Sequence, residues 1–409
     1  MLLGTFDTKG EEYAYVRDLI VECGKDVVLV DTGVLGTSSL VADVDSSAVA
    51  AAAGADLAGL RRRRDRGVAL DVMAAGAATV AKDLYAQGRL SGVLALGGSG
   101  GSSIAATVMQ ALPVGLPKLL VSTMAGGDVS PYVGTTDVTL MYSVVDVAGI
   151  NSISRQVLGN AAAAIAGMAG AYASRRSNHD GAQDKPLVAA SMFGVTTPAV
   201  DTARRRLTEL GYEVLVFHAT GSGGRTMESL AADGHFVGVL DLTTTEIADE
   251  VVGGVLSAGP DRLTAAAKAG IPQVVSLGAL DMVNFGPRDT VPERFRDRHL
   301  LIHNETVTLM RTSVPEAARV GAVLGRKLAA ATGPTALFVP RGGLSAVDVD
   351  GGPFWDRAAD AACIDSVLEA VAGTHVEVID SDQEINSTAF ATAAAEHLHR
   401  LIRSAHRES

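Results

Sequence analysis

Gly92-Val93-Leu94-Ala95-Leu96-Gly97-Gly98-Ser99-Gly100-Gly101-Ser102-Ser103-Ile104-Ala105-Ala106 is the stretch whose reading decides the fold. A short aliphatic run breaks into a loop of Gly and Ser, and an Ala-rich helical pattern follows at once. Strand, loop and helix in that order build parallel sheets, because parallel neighbours need a crossover connection. The loop's N–H donors and hydroxyls are also suited to wrapping an anion.

The same order repeats outward in both directions. Asp26 to Val30, Lys118 to Ser122 and Val138 to Met141 read as strands separated by helical lengths of chain. Between Ala173 and Pro186 a polar stretch, Ser-Arg-Arg-Ser-Asn-His-Asp-Gly-Ala-Gln-Asp-Lys, lacks any apolar period and marks a domain boundary. Beyond it, Leu187 to Ser191, Glu213 to Phe217, Phe236 to Leu240, Gln273 to Leu277 and Ala336 to Val339 are strands again. The expected fold class is α/β, with two Rossmann-like, doubly wound parallel-sheet subdomains at residues 1–178 and 186–409.

The two halves echo each other in order. Gly24-Lys25-Asp26-Val27 leading to Asp31-Thr32-Gly33 resembles Gly211-Tyr212-Glu213-Val214 leading to His218-Ala219-Thr220-Gly221. Gly92-Val93-Leu94 matches Gly238-Val239-Leu240, and Gly115-Leu116-Pro117 matches Gly270-Ile271-Pro272. Val138-Thr139-Leu140-Met141 recurs identically at Val307 to Met310. Four ordered matches suggest a duplicated unit, against convergence on common strand and turn chemistry. If duplicated, the first half carries an insertion from Val34 to about Val68.

Composition narrows the function. A chain of 409 residues, 47% apolar, has enough material for two packed domains. A net charge of −12 disfavours nucleic acid, which is bound through many exposed cations. The run Arg61-Arg62-Arg63-Arg64, with Asp65 and Arg66 after it, reads as a solvated helix face or an oligomer contact. Cys23 and Cys363 are too few for a disulfide framework and suit a reducing compartment. The amino terminus lacks a basic leader, and the apolar stretch Leu158 to Tyr172 reads as Ala/Gly-rich helix, so no membrane segment and a cytosolic location are expected.

Ligands of open α/β sheets sit at the carboxyl ends of strands. The first strand ends at Gly4-Thr5-Phe6-Asp7-Thr8-Lys9-Gly10, where Thr5, Asp7 and Thr8 can cap a helix and Lys9 offers a charge to a phosphate, although the pattern is not a Walker A loop. The second ends at Asp31, placed to accept from a ribose hydroxyl. The third ends in Gly97, Gly98, Ser99, Gly100, Gly101, Ser102 and Ser103. The fourth ends in Thr123-Met124-Ala125-Gly126-Gly127-Asp128, with a carboxylate for a ribose or a metal. A tight turn accounts for each loop alone; three Gly-rich loops on one sheet edge favour a phosphate-bearing ligand.

The second half carries different groups at its strand ends. His218, Glu228, Asp281 with Asn284, and His303 are candidates for an acid/base or divalent-metal site, with a spacing that matches no zinc motif. Thr243 and Glu246 fit a capping box. The segment Pro340 to Asp348 reads as a cleft-closing loop or, with Phe354 and Trp355 as an aromatic staple, as a plain connection. These groups carry the alternative reading, an enzyme acting on a small metabolite in an interdomain cleft, with or without ATP.

At Gly4 to Glu12, Gly97 to Gly101, Ala125 to Val129, Phe217 to Gly221 and Asp281 to Pro287 the chain resembles a family of largely uncharacterised bacterial and fungal proteins. They are similar to the amino-terminal ATP-binding domain of tomato's tobamovirus resistance protein, an inhibitor of viral RNA replication. The resemblance spans essentially the whole chain. It implies two Rossmann-like subdomains, ATP with Mg2+ in the first, and a homodimer. Carried over by position, the nucleotide contacts are Thr5, Asp7, Thr8, Lys9, the Gly97 to Ser103 loop and Gly126 to Val129. Nothing here matches the plant protein's carboxyl-terminal barrel-like domain, so the antiviral role does not transfer.

Overall fold

Leu94 and Leu96 are buried against one layer of helices, Val93 and Ala95 against another, and this alternation makes their strand the centre of a doubly covered sheet. The structure, a computed structural model, describes residues 1–38, 40–177 and 185–408. The chain divides into two compact units, Met1–Ala182 and Gln183–Ser409. The boundary expected between 178 and 186 falls mostly outside the described residues.

Unit one runs β1 (Leu2–Gly4), α1 (Phe6–Glu22), β2 (Leu29–Asp31), α2 (Ser46–Ala52), α3 (Leu57–Arg63), α4 (Arg66–Ala86), β3 (Val93–Gly97), α5 (Ser99–Gln110), β4 (Lys118–Ser122), α6 (Ser130–Val133), β5 (Thr139–Tyr142) and α7 (Ser152–Ser177). Its five strands are all parallel, in the order β2-β1-β3-β4-β5. α1 and α7 cover one face, and α2, α4 and α5 the other. β2 is shorter than the run Asp26 to Val30 suggested, because its partner β1 offers only three residues for pairing. By length and mean hydropathy α7 could cross a membrane. Here it lays Leu158, Ala161, Ala162 and Ile165 against the sheet.

Unit two runs β6 (Leu187–Met192), α8 (Thr197–Glu209), β7 (Glu213–His218), α9 (Ser222–Ala232), β8 (Gly238–Thr243), α10 (Thr245–Val252), α11 (Ala265–Ala269) and β9 (Gln273–Gly278). It continues through β10 (Met282–Phe285), β11 (Leu300–Asn304), β12 (Val307–Arg311), α12 (Val314–Ala329), β13 (Thr335–Pro340), α13 (Arg357–Val371), β14 (Glu377–Ser381) and α14 (Thr388–Glu408). Six parallel strands lie in the order β14-β13-β9-β8-β6-β7. Numbered within each unit, both sheets therefore wind 2-1-3-4-5, and unit two adds a sixth strand.

Three of the four internal echoes fall on equivalent places. Gly24 and Gly211 follow the first helix of each unit, Gly92 and Gly238 lie at the third strand, and Gly115 and Gly270 precede the fourth. The fourth match does not. Val138 to Met141 leads into and forms most of the parallel edge strand β5, whereas Val307 to Met310 belongs to β12, the centre of a separate antiparallel sheet β10-β12-β11. Alternating apolar residues suit either kind of ladder, so the identical tetrapeptide carries no topology. The insertion after β2 is present and contains α2 and α3, whereas β7 passes to α9 within a few residues.

Candidate functional site

At the carboxyl ends of β1 and β3 the chain of unit one turns in opposite directions, towards β2 from one and towards β4 from the other. This is the switch point of an open α/β sheet, where connections diverge and leave a crevice. The β1–β3 ladder ends at Leu3 and Ala95. Beyond it the Tyr13 hydroxyl takes over, donating to the Leu3 carbonyl and accepting from Leu96 N at 2.8 Å. Gly4 makes room for that ring, since a Cβ there would stand 2.0 Å from the hydroxyl oxygen.

A cavity of about 860 Å3 opens at this point. Thr5, Asp7, Thr8 and Lys9 line it from the first loop, Thr32, Val34 and Leu35 from the second, and Gly98 to Gly101 from the third. Leu60, Leu70, Met73 and Ile104 supply an apolar wall, and Arg61, Arg64 and Arg66 a basic one. A smaller cavity of about 310 Å3 lies at the amino ends of the strands, beside Gly24 and Gly88 at the carboxyl ends of α1 and α4. Helix carbonyls rather than N–H groups gather there, which makes it the poorer anion site.

α5 supplies the donors. Gly98 is its N-cap and offers no side-chain acceptor. Ser102 N bonds to Gly98 O, but the amides of Ser99, Gly100 and Gly101 have no acceptor among the described residues. A helix of twelve residues thus presents unclaimed N–H groups and its positive end to the cavity. Gly97 must be small for packing, since a Cβ there would stand 2.9 Å from Gly101 Cα.

Two buried oxygens in the wall are also unclaimed. Thr32 is 1% exposed and its Oγ1 has no partner among the described residues. Asp7 accepts from Leu35 N (2.7 Å) and Gly36 N (3.1 Å) through Oδ2, so it shapes the loop after β2, while its Oδ1 stays unpaired.

Other candidates take structural parts. Asp31 accepts from Phe6 N (2.9 Å) and Gly33 N (2.8 Å) and does not line the cavity; burial lifts its carboxyl above the usual range, and those two amides oppose the lift. Lys9 leaves helical geometry (φ −133°) and donates its Nζ to the Val147 carbonyl, so its ammonium is already engaged. Ser102 is buried against Ser122, Oγ to Oγ 2.6 Å, and Ser103 is exposed outside the cavity. Gly126, Gly127, Asp128 and Val129 do not line it either: the Asp128 carboxylate accepts from Ser130 Oγ (2.7 Å) and N (3.0 Å), which hold it below the ordinary carboxylate range.

The arginine run supplies what the sequence reading missed. Asp56 caps α3 and Asp65 caps α4, and between them the chain turns at Arg64 so that Arg61, Arg64 and Arg66 reach the cavity. Arg61 donates to Val34 O (2.8 Å) and Gly36 O (2.9 Å). The signal was available: the run lies in the insertion that follows a ligand-facing strand end.

Comparison with known proteins places this architecture. The Uncharacterised protein family (UPF0261) N-terminal domain matches residues 1–174, and the family's C-terminal domain matches residues 185–402. The chain belongs to the UPF0261 family. It is 49% identical over 402 residues to a UPF0261 protein of Clostridium tetani (strain Massachusetts / E88), covering 98% of both chains. It is 45% identical over 394 residues, 96% of both chains, to one of Rhizobium meliloti (strain 1021). The ToMV resistance protein Tm-1(GCR237) of Solanum lycopersicum is 43% identical over 331 residues, 80% of this chain but 44% of the plant protein.

In this UPF0261 chain the corresponding place of unit two is closed from within. Arg262, 1% exposed, pairs with Asp241 (2.5 Å), Glu246 (2.6 Å) and Glu228 (3.2 Å). Ser191 donates to Asp241 at 2.6 Å, and the Thr196 and Thr243 hydroxyls meet at 2.7 Å. The capping box expected of Thr243 and Glu246 does not form, because Thr243 is still in β8. Glu246 Oε1 instead accepts from Gly221 N (2.6 Å) and Gly224 N (3.1 Å) and caps α9 from outside.

The four acid/base candidates of the UPF0261 chain are not gathered. No hydrogen bond or ion pair among the described residues joins any two of them, and no group of three His, Cys, Asp or Glu is placed to hold a metal. His218 and His303 are exposed on β7 and β11. Glu228 accepts from the amides of Leu263 (2.5 Å), Thr264 (3.1 Å) and Ala265 (2.7 Å) and so caps α11. Asp281 is buried and accepts from Ser345 Oγ at 2.9 Å. Together with Asp348 and Asp360 it surrounds Arg311, whose Nε donates to Phe354 O at 2.7 Å. Burial pushes Asp281 up to about 6 and, with the neighbouring carboxylates, Asp348 up to about 8. The segment carrying Ser345, Asp348 and Phe354 is therefore pinned into the core of unit two.

Proposed function

We propose that this chain binds a nucleotide, ATP with Mg2+, in the unit-one cavity. The observation that carries the reading is the set of unclaimed groups at the switch point: three free amides of α5, the orphan Thr32 hydroxyl and the orphan Asp7 oxygen. A phosphate would satisfy the amides, and the apolar wall of Leu60, Leu70, Met73 and Ile104 suits a base. Mg2+ characteristically takes one or two carboxylates and completes its shell with phosphate oxygens and water, which Asp7, with Asp146 also in the wall, would fit. Its chemistry would be to neutralise and orient the phosphates. The homodimer and the cytosolic location implied earlier belong to this same proposal.

The test is calorimetric titration with ATP, with and without Mg2+, alongside a phosphate-release assay. Gly100 has no positive φ and lines the cavity, so Gly100→Val would intrude on its phosphate end with no strain from φ. Micromolar binding by the wild type, weakened about tenfold or more in a folded Gly100→Val variant, is expected. Equal binding by both would remove the site; phosphate release would extend it to an ATPase.

A further inference from the structure

The junction of α3 and α4 places Arg66 over the start of α5 and Arg64 in the wall of the same cavity. A methyl group on Gly100 would stand 3.4 Å from Arg66 Nη2, so this guanidinium lies over the first turn of the helix, beside the free amides. Arg64 enters the same cavity from the left-handed end of α3 (φ 53°). Among the described residues neither guanidinium has a hydrogen-bond or ion-pair partner. Asp65 between them is turned to Val68 N (3.1 Å). Positive groups beside a positive helix end repel one another unless an anion lies between them. Asp7, Asp65 and Asp146 also line the cavity, but in a chain of net charge −12 the gathering of Arg61, Arg64 and Arg66 at a free helix start is out of keeping with the rest. The unpaired Thr32 Oγ1, buried in the wall of the same cavity, points independently to a polar ligand there.

We propose that Arg64 and Arg66 form a polyphosphate clamp, so that the cavity selects di- and triphosphates over monophosphates. The planar fork of each guanidinium takes two phosphate oxygens, while α5 amides hold the phosphate nearest the helix. Unit two has no counterpart of this segment between β7 and α9, and its corresponding place is filled by Arg262 and its acids. The clamp is therefore a property of unit one. It rests on the nucleotide reading only for what the rest of the ligand is.

The experiment measures the affinity of ATP, ADP, AMP and inorganic tripolyphosphate for the full chain and for Arg66→Ala, Arg64→Ala and Arg66→Lys. Both arginines are exposed and unbonded, so the variants should fold, as unchanged thermal melting would verify. The wild type should bind ATP at least about tenfold more tightly than AMP. Arg66→Ala should lose about 10- to 100-fold for ATP and tripolyphosphate and less than about threefold for AMP, with Arg66→Lys recovering part of the loss. Equal loss for AMP and ATP, or wild-type binding indifferent to phosphate number, would overturn the clamp. If no nucleotide binds but tripolyphosphate does, and Arg66→Ala loses it, the clamp stands and the nucleotide reading falls. If neither nucleotide nor tripolyphosphate binds the wild type, both fall.

Discussion

At the scale of single residues, the most unusual chemistry is the acid cluster around Arg311. Asp281, Asp348 and Asp360 face one guanidinium, and each keeps a buried carboxylate oxygen that has no hydrogen-bond partner among the described residues. Burial is the first cause of the raised pKa values, about 6 for Asp281 and about 8 for Asp348. Groups whose pKa is higher folded than unfolded stabilise fully below the unfolded value, and that contribution is lost as pH rises through the folded one. Unit two should therefore weaken between about pH 4 and pH 8. Asp348→Asn should gain on the order of 1–3 kcal/mol over wild type at pH 8.5 and little at pH 4.5, read from urea unfolding curves. An equal effect at both pH values would refute the assigned cause. None of this was legible in the sequence, where Asp281 lies 67 positions before Asp348 and reads as a strand-end acid. The loop glycines were legible, because Gly97 to Gly101 follow a strand directly and do line or shape the cavity. Asp31 was correctly placed at a strand end, whereas Lys9 falls inside α1, and their partners Phe6, Gly33 and Val147 had already claimed them.

At the scale of elements, helix starts decide what each strand end can do. α5 is left uncapped by protein and points into a cavity, whereas α9 is capped by Glu246 and α11 by Glu228. The Glu228 carboxylate therefore holds a helix rather than facing a ligand. Glu228→Ala should destabilise unit two by about 2–4 kcal/mol, since it strips three amides and part of the Arg262 network of their acceptor. ATP affinity should be unchanged in the same variant. A variant of undiminished stability that lost a catalytic turnover would restore Glu228 as an acid/base group. The helices were legible as Ala-rich segments of helical length between strands, although the capping box expected of Thr243 and Glu246 did not form. The direction in which α3 sends its arginines was not, because it depends on the left-handed turn at Arg64 and on where α4 then packs.

At the scale of the whole molecule, two units with separate cores and the same strand winding divide the labour unequally. Calorimetric unfolding should show ATP raising the melting of unit one by mass action while leaving the unit-two transition in place. A shift of both by the same amount would mean that the units unfold as one. The sequence by itself determined the α/β class, the parallel sheets and the Gly-rich strand end, because hydrophobic period and crossover length are local properties of the chain. Only the tertiary structure decided which strand ends open to a ligand. That depends on charges and amides brought together from distant segments: Arg66 against Gly100 in unit one, and Arg262 against Asp241 and Glu246 in unit two. Whether a buried donor has found its acceptor is a property of that convergence, and no local pattern records it.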